Sequence, residues 1–131
     1  MPLLGEESYI LKAGFAERKI TPPDNKCFIT GYSSGVAATG VHDDLYTVAI
    51  CFEDGERRAA LVSLDLIGYR QHVYSRLKSE ISKVAEIDYE AIFLTCTHTH
   101  AGPNTRKFLK DKENPEYSEA YTDFLVSQVA E

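Results

Sequence analysis

Arg58-Ala59-Ala60-Leu61-Val62-Ser63-Leu64-Asp65-Leu66 is the stretch on which the fold turns. It is a short, nearly all-apolar run, which predicts a strand buried on both faces. Just upstream, Leu45 to Glu53 alternates, with Tyr46, Val48 and Ile50 on one side and Thr47, Ala49 and Cys51 on the other. Asp54-Gly55 between the two runs is a tight-turn signal, so the pair predicts a β-hairpin. Downstream, Gln71 to Glu86 sets Val73, Leu77, Ile81 and Val84 on one helical stripe, with Lys78, Glu80, Lys83 and Glu86 off it. Tyr89 to Thr97 then predicts another strand. Strand, helix and strand with short joins form a βαβ unit, its strands parallel and its crossover right-handed. The fold class is therefore α/β: a mixed sheet in two or three layers, with a hairpin, then a right-handed βαβ unit, then a C-terminal helix.

Leu11 to Ile20 adds a first strand, stopped by Thr21-Pro22-Pro23 because proline cannot continue a ladder. Residues 24 to 44 have loop composition, and a loop of that length inside a compact domain is usually functional. Lys107 to Glu116 is charged and expected in solvent. Ser118 to Glu131 predicts a helix whose stripe is Tyr121, Phe124, Leu125 and Val129. The sequence stops inside this pattern without a glycine or asparagine cap, so a second copy or a missing C-terminal domain is expected to cover that face.

A length of 131 residues suits one domain spanning 1–131, and 44% hydrophobic content is ample for a core. The net charge is −6 and no Lys/Arg cluster stands out, which argues against nucleic acid and anionic membranes as partners. No segment is apolar for long enough to span a bilayer, and the N-terminus does not read as a secretory signal. Cys27, Cys51 and Cys96 are odd in number and form no CxxC pair, so reduced, mostly buried thiols and a cytoplasmic setting are expected.

Parallel strands present ligand sites at their carboxyl ends. Asp65 ends the strand before the helix, and His98 and His100 follow the strand after it, so all three should open onto one edge. Thr97-His98-Thr99-His100-Ala101-Gly102-Pro103 holds two of the four histidines. Residues i and i+2 of extended chain share a face, so both imidazoles can serve one metal, or one can bind metal while the other holds substrate. Ordinary strand-end hydrogen bonding is the alternative. Gly102-Pro103 is expected to turn the chain at the mouth of the site. In Gly40-Val41-His42-Asp43-Asp44, His42 can act as ligand, base or orienting partner, unless Asp43 or Asp44 simply caps a turn. Asp65 can steady an imidazole or cap the following helix. His72 lies among polar neighbours and is expected in solvent. GxSxG, GxxxxGK[ST], GxGxxG and HExxH are absent, so the sequence gives no support for serine nucleophile, P-loop, dinucleotide or zincin chemistry.

Five blocks in order resemble the N-terminal part of the neutral/alkaline, non-lysosomal ceramidases. They are Ala13-Gly14-Phe15-Ala16 through Ile20-Thr21-Pro22-Pro23, Gly31-Tyr32-Ser33, Gly40-Val41-His42-Asp43, Ser63-Leu64-Asp65-Leu66, and Thr97 to Pro103. The resemblance implies a zinc-dependent hydrolase of the N-acyl amide of a ceramide-type lipid. It implies His98 as a Zn2+ ligand and His100 as a pocket residue contacting the reacting amide, with His42 and Asp43 in a block near the site. The remaining ligands of the family lie later in its catalytic domain, so this chain would carry part of the site. A metal hydrolase of esters or phosphates, and a non-catalytic assembly module using the 118–131 helix, are the competing readings.

Overall fold

The computed structural model describes residues 10–33, 35–106 and 118–131. The expected solvated tail at 107–116 lies outside the described residues. The chain forms β1 (Lys12–Lys19), β2 (Phe28–Thr30), β3 (Val36–Ala37), β4 (Tyr46–Glu53), β5 (Arg58–Leu64), α1 (Gln71–Ala85), a 3-10 turn (Tyr89–Ala91), β6 (Ile92–Cys96), β7 (Gly102–Pro103) and α2 (Glu119–Ala130). The main sheet has the order β1-β4-β5-β6, antiparallel except for the parallel β5–β6 pair.

The hairpin forms where alternation and Asp54-Gly55 place it, with Glu53 opposite Arg58. Asp54 organises the turn. Its Oδ1 accepts from the Arg57 amide at 2.8 Å and its Oδ2 from the Arg57 guanidinium at 2.7 Å. The Arg57 amide and then its side chain hold the Asp54 carboxyl below the usual range.

From β5 the chain crosses through α1 to β6, pairing Leu64 with Cys96. Val62, Leu64, Leu66, Val73, Leu77 and Leu125 are 1% exposed or less, and they form the core between one sheet face and the two helices. The α1 stripe departs from expectation at its end. Val84 is 53% exposed, whereas Lys78 is buried. The Lys78 stem lies along apolar surface and its ammonium sits over the rings of Tyr89, at 4.1 Å, and Tyr74, at 5.5 Å. The predicted strand at 89–97 is shorter, because Tyr89–Ala91 winds as a 3-10 turn first.

Four further expectations are corrected. β5 is buried on one face only: Ala60, Val62 and Leu64 face the helices, while Leu61 is 47% exposed on the other side. The 24–44 segment contains two short strands. They build a second sheet, β3-β2-β7, in which Gly102-Pro103 is a strand rather than a turn. Pro103 is tolerated there because β7 lies at the sheet edge, where one amide need not pair. The apolar stripe of α2 is not open either. Tyr121, Leu125 and Val129 are buried, α2 packs on α1, and the Tyr121 hydroxyl donates to the Ile20 carbonyl at 2.8 Å. Ser118 caps the helix, its hydroxyl accepting from the Tyr121 amide at 3.1 Å. No helix among the described residues is long and apolar enough to cross a membrane.

Candidate functional site

The carboxyl ends of β5 and β6 hold the candidate site. Past Leu64 the ladder is continued by Asp65, whose amide donates to the Tyr46 carbonyl at 2.9 Å and whose Oδ2 accepts from the Tyr46 amide at 3.0 Å. The Asp65 carboxylate thus tethers β4 rather than capping α1, whose first turn has no side-chain cap. Past Cys96 the chain stays tied to the same strand end, with the Thr97 amide on the Leu64 carbonyl and the His98 amide on the Leu66 carbonyl, each at 3.0 Å.

His98 then takes a left-handed backbone, φ 64°. The two histidines are therefore not successive residues of a strand face. A turn brings them together instead, leaving ring centroids 5.1 Å apart and tilted by 59°. His98 is exposed and His100 half-buried. The His100 Nδ1 is fully buried with no hydrogen-bond partner among the described residues, which is costly for a polar atom unless a ligand meets it.

Two residues outside the candidate set hold His100. Gly31, at φ 145°, packs on it so closely that a β-carbon there would lie 2.6 Å from the His100 Cβ and Cγ. Tyr32 meets the His100 ring edge-to-face, with centroids 4.5 Å apart. The Gly31-Tyr32 pair in a glycine-bearing loop was the available signal, and its long-range partner was not readable from spacing.

Beside this turn runs a mainly apolar groove of about 330 Å³, lined by Ile29, Val41, Leu45 and Pro103 together with His42, Thr99 and Ala101. A neighbouring cleft of about 360 Å³ shares Cys27, Ala38 and Pro103 with it. The His42 loop thus shares one groove with Thr99 and Ala101 of the turn, while His98 and His100 are not among its lining residues. His42 itself is almost wholly exposed, its Nδ1 2.6 Å from Asp43 Oδ2. His72 is exposed on α1, as expected. The three cysteines are free and half-buried. Burial pushes the Cys96 thiol up to about 11, against a smaller opposing effect of its hydrogen bond with Tyr69. Burial, and then the charge of Asp24, raises Cys27. Neither thiol is a nucleophile near neutral pH.

Among the described residues, no three histidine, cysteine, aspartate or glutamate side chains gather as metal ligands. The donor set at the turn is two imidazoles, one with an unmatched buried nitrogen. Either imidazole has the donor chemistry of a zinc ligand, and the rest of a shell would come from groups beyond the turn.

The chain shares its fold with part of a neutral ceramidase. The neutral ceramidase of Pseudomonas aeruginosa superimposes with a TM-score of 0.76 over 95% of this chain, at 20% identity. A ceramidase complexed with C2 gives 0.73 over 94%, also at 20% identity. The chain spans about a fifth of each, 21% and 20% of their lengths. No protein-family model and no curated sequence matches it.

Proposed function

We propose that this chain carries part of the site of a zinc-dependent hydrolase acting on the N-acyl amide of a ceramide-type lipid. The observation behind this reading is the His98–His100 ring pair at the carboxyl edge of the sheet, with a buried, unmatched nitrogen on His100. The fold it shares with the ceramidases supports the same reading.

In this reading His98, the more exposed ring, is the metal ligand, and His100 faces the reacting amide. A zinc ion held there would supply an ionised water near neutral pH and polarise the amide carbonyl. His100 is gripped by Gly31 and Tyr32, and a polar group of the substrate or of the metal shell would have to reach its buried Nδ1 by displacing what covers it. Asp65 acts through the backbone, holding β4 against the strand end from which the histidine turn departs. His42, oriented by Asp43, stands at the rim of the groove as an imidazole able to accept or deliver a proton. The apolar lining of the groove suits a hydrocarbon chain better than a phosphate or sugar.

Zinc titration followed through the imidazole NMR signals of His98 and His100, beside fatty-acid release from a short-chain N-acylsphingosine, tests this. Zinc should perturb both rings, and His98→Ala should remove that response and any turnover. Turnover undiminished in His98→Ala, or preferential cleavage of chromogenic esters or phosphodiesters, would overturn the reading.

A further inference from the structure

We infer that the open face of the four-stranded sheet is a docking surface for a second copy of this chain. One row of the sheet is apolar from edge to edge. Phe15 pairs with Ile50, Ile50 with Leu61, and Leu61 with Phe93, one residue from each strand. Their exposures are 71%, 36%, 47% and 61%. Phe52, in the adjoining row between Ala13 and Ala59, is 40% exposed. Both helices lie against the opposite face, so no described element covers this one.

An apolar patch of this size lies in the upper part of the range that a monomer carries, where patches are often functional. With a phenylalanine offering roughly 200 Å², these five side chains expose on the order of 500 Å². That is about two-thirds of the roughly 800 Å² per partner of a standard interface, and the flanking rows widen the contact.

The order of the row favours self-pairing over any other occupant. A two-fold interface must match its own patch. Read from either edge, this row runs aromatic, aliphatic, aliphatic, aromatic. A two-fold axis parallel to the strands, between β4 and β5, sets Phe15 over the other copy's Phe93 and Ile50 over its Leu61. In the next row Glu17, Val48, Ser63 and Thr95 are in register, so the same axis sets Glu17 over Thr95 and no like charges meet. Two sheets packed this way stand about 10 Å apart, the ordinary spacing of a sandwich. The row lies mid-strand, away from the histidine turn, so the inference is independent of the hydrolase reading.

Sedimentation equilibrium of the whole chain tests it, with Leu61→Lys and Phe93→Lys made separately and Val84→Lys as an exposed control on α1. The wild type should be a dimer with a dissociation constant below about 10 µM. Each sheet variant should raise that constant roughly 30-fold or more. The control should leave it unchanged, and far-UV circular dichroism should match throughout because all three side chains already face solvent. A wild-type chain that stays monomeric, whether or not it floats with phosphatidylcholine vesicles, overturns the inference. So does a dimer that both sheet variants leave intact.

Discussion

Gly31 is the residue with least freedom to change. Its φ of 145° is open to glycine and to few other residues, and the space beside it is filled by His100. Gly31→Ala combines a strained backbone with a contact no side chain can sustain, and the expected loss of unfolding free energy is about 2 kcal/mol or more, read by urea denaturation. The His100 ring signal should shift in the same variant, since the ring must give way. Tyr32→Ala should move that signal with a smaller loss of stability, because Tyr32 is 91% exposed and contributes little to the core. The sequence singled out His98 and His100, but not what holds them. The contact between residues 31 and 100 depends on tertiary folding, which no local periodicity encodes.

At the scale of elements, the strongly patterned segments were readable and the short ones were not. The hairpin, α1, the parallel β5–β6 pair and α2 follow from alternation, helical stripes and turn chemistry. The strands β2, β3 and β7 are three, two and two residues long, too short to show a period, and they exist because they pair with one another. Lys78 escaped the helical pattern because its charge reads as solvent-facing, while its stem and two tyrosine rings make burial tolerable. The apolar stripe of α2 carries no mark of which element covers it: α1 does, with Arg76 also reaching Glu119 and Asp123. Ser118 begins this helix, so Ser118→Ala should cost about 1 kcal/mol in thermal or denaturant unfolding. Ser118→Asp should retain most of it, as aspartate caps equally well.

At the scale of the molecule, the two-layer arrangement explains why β5 looked doubly buried. Its composition suits a central strand with cover on both sides, and only the helical side is covered among the described residues. Alkaline pH probes the packed side as a whole. Burial pushes Cys96 up to about 11, and burial also raises Tyr69 and Tyr121, aided to a lesser degree by Cys96 and Cys27 respectively. Unfolded thiols and phenols release protons near 9 and 10, whereas the folded chain retains them. Stability is therefore full below about pH 9 and falls as pH rises towards 11 and beyond. Melting temperatures measured from pH 7 to 11 should show that decline, and Cys96→Ala should lessen its first part.

The backbone at His98 carries a further meaning. Left-handed φ suits glycine best, with asparagine, aspartate and histidine next, so histidine at φ 64° still bears a backbone cost that glycine would not. A designer optimising this chain for robustness alone would write another residue at position 98. Stabilised or consensus-built versions of this domain would thus drift towards losing the imidazole first, keeping the architecture while discarding the chemistry it frames.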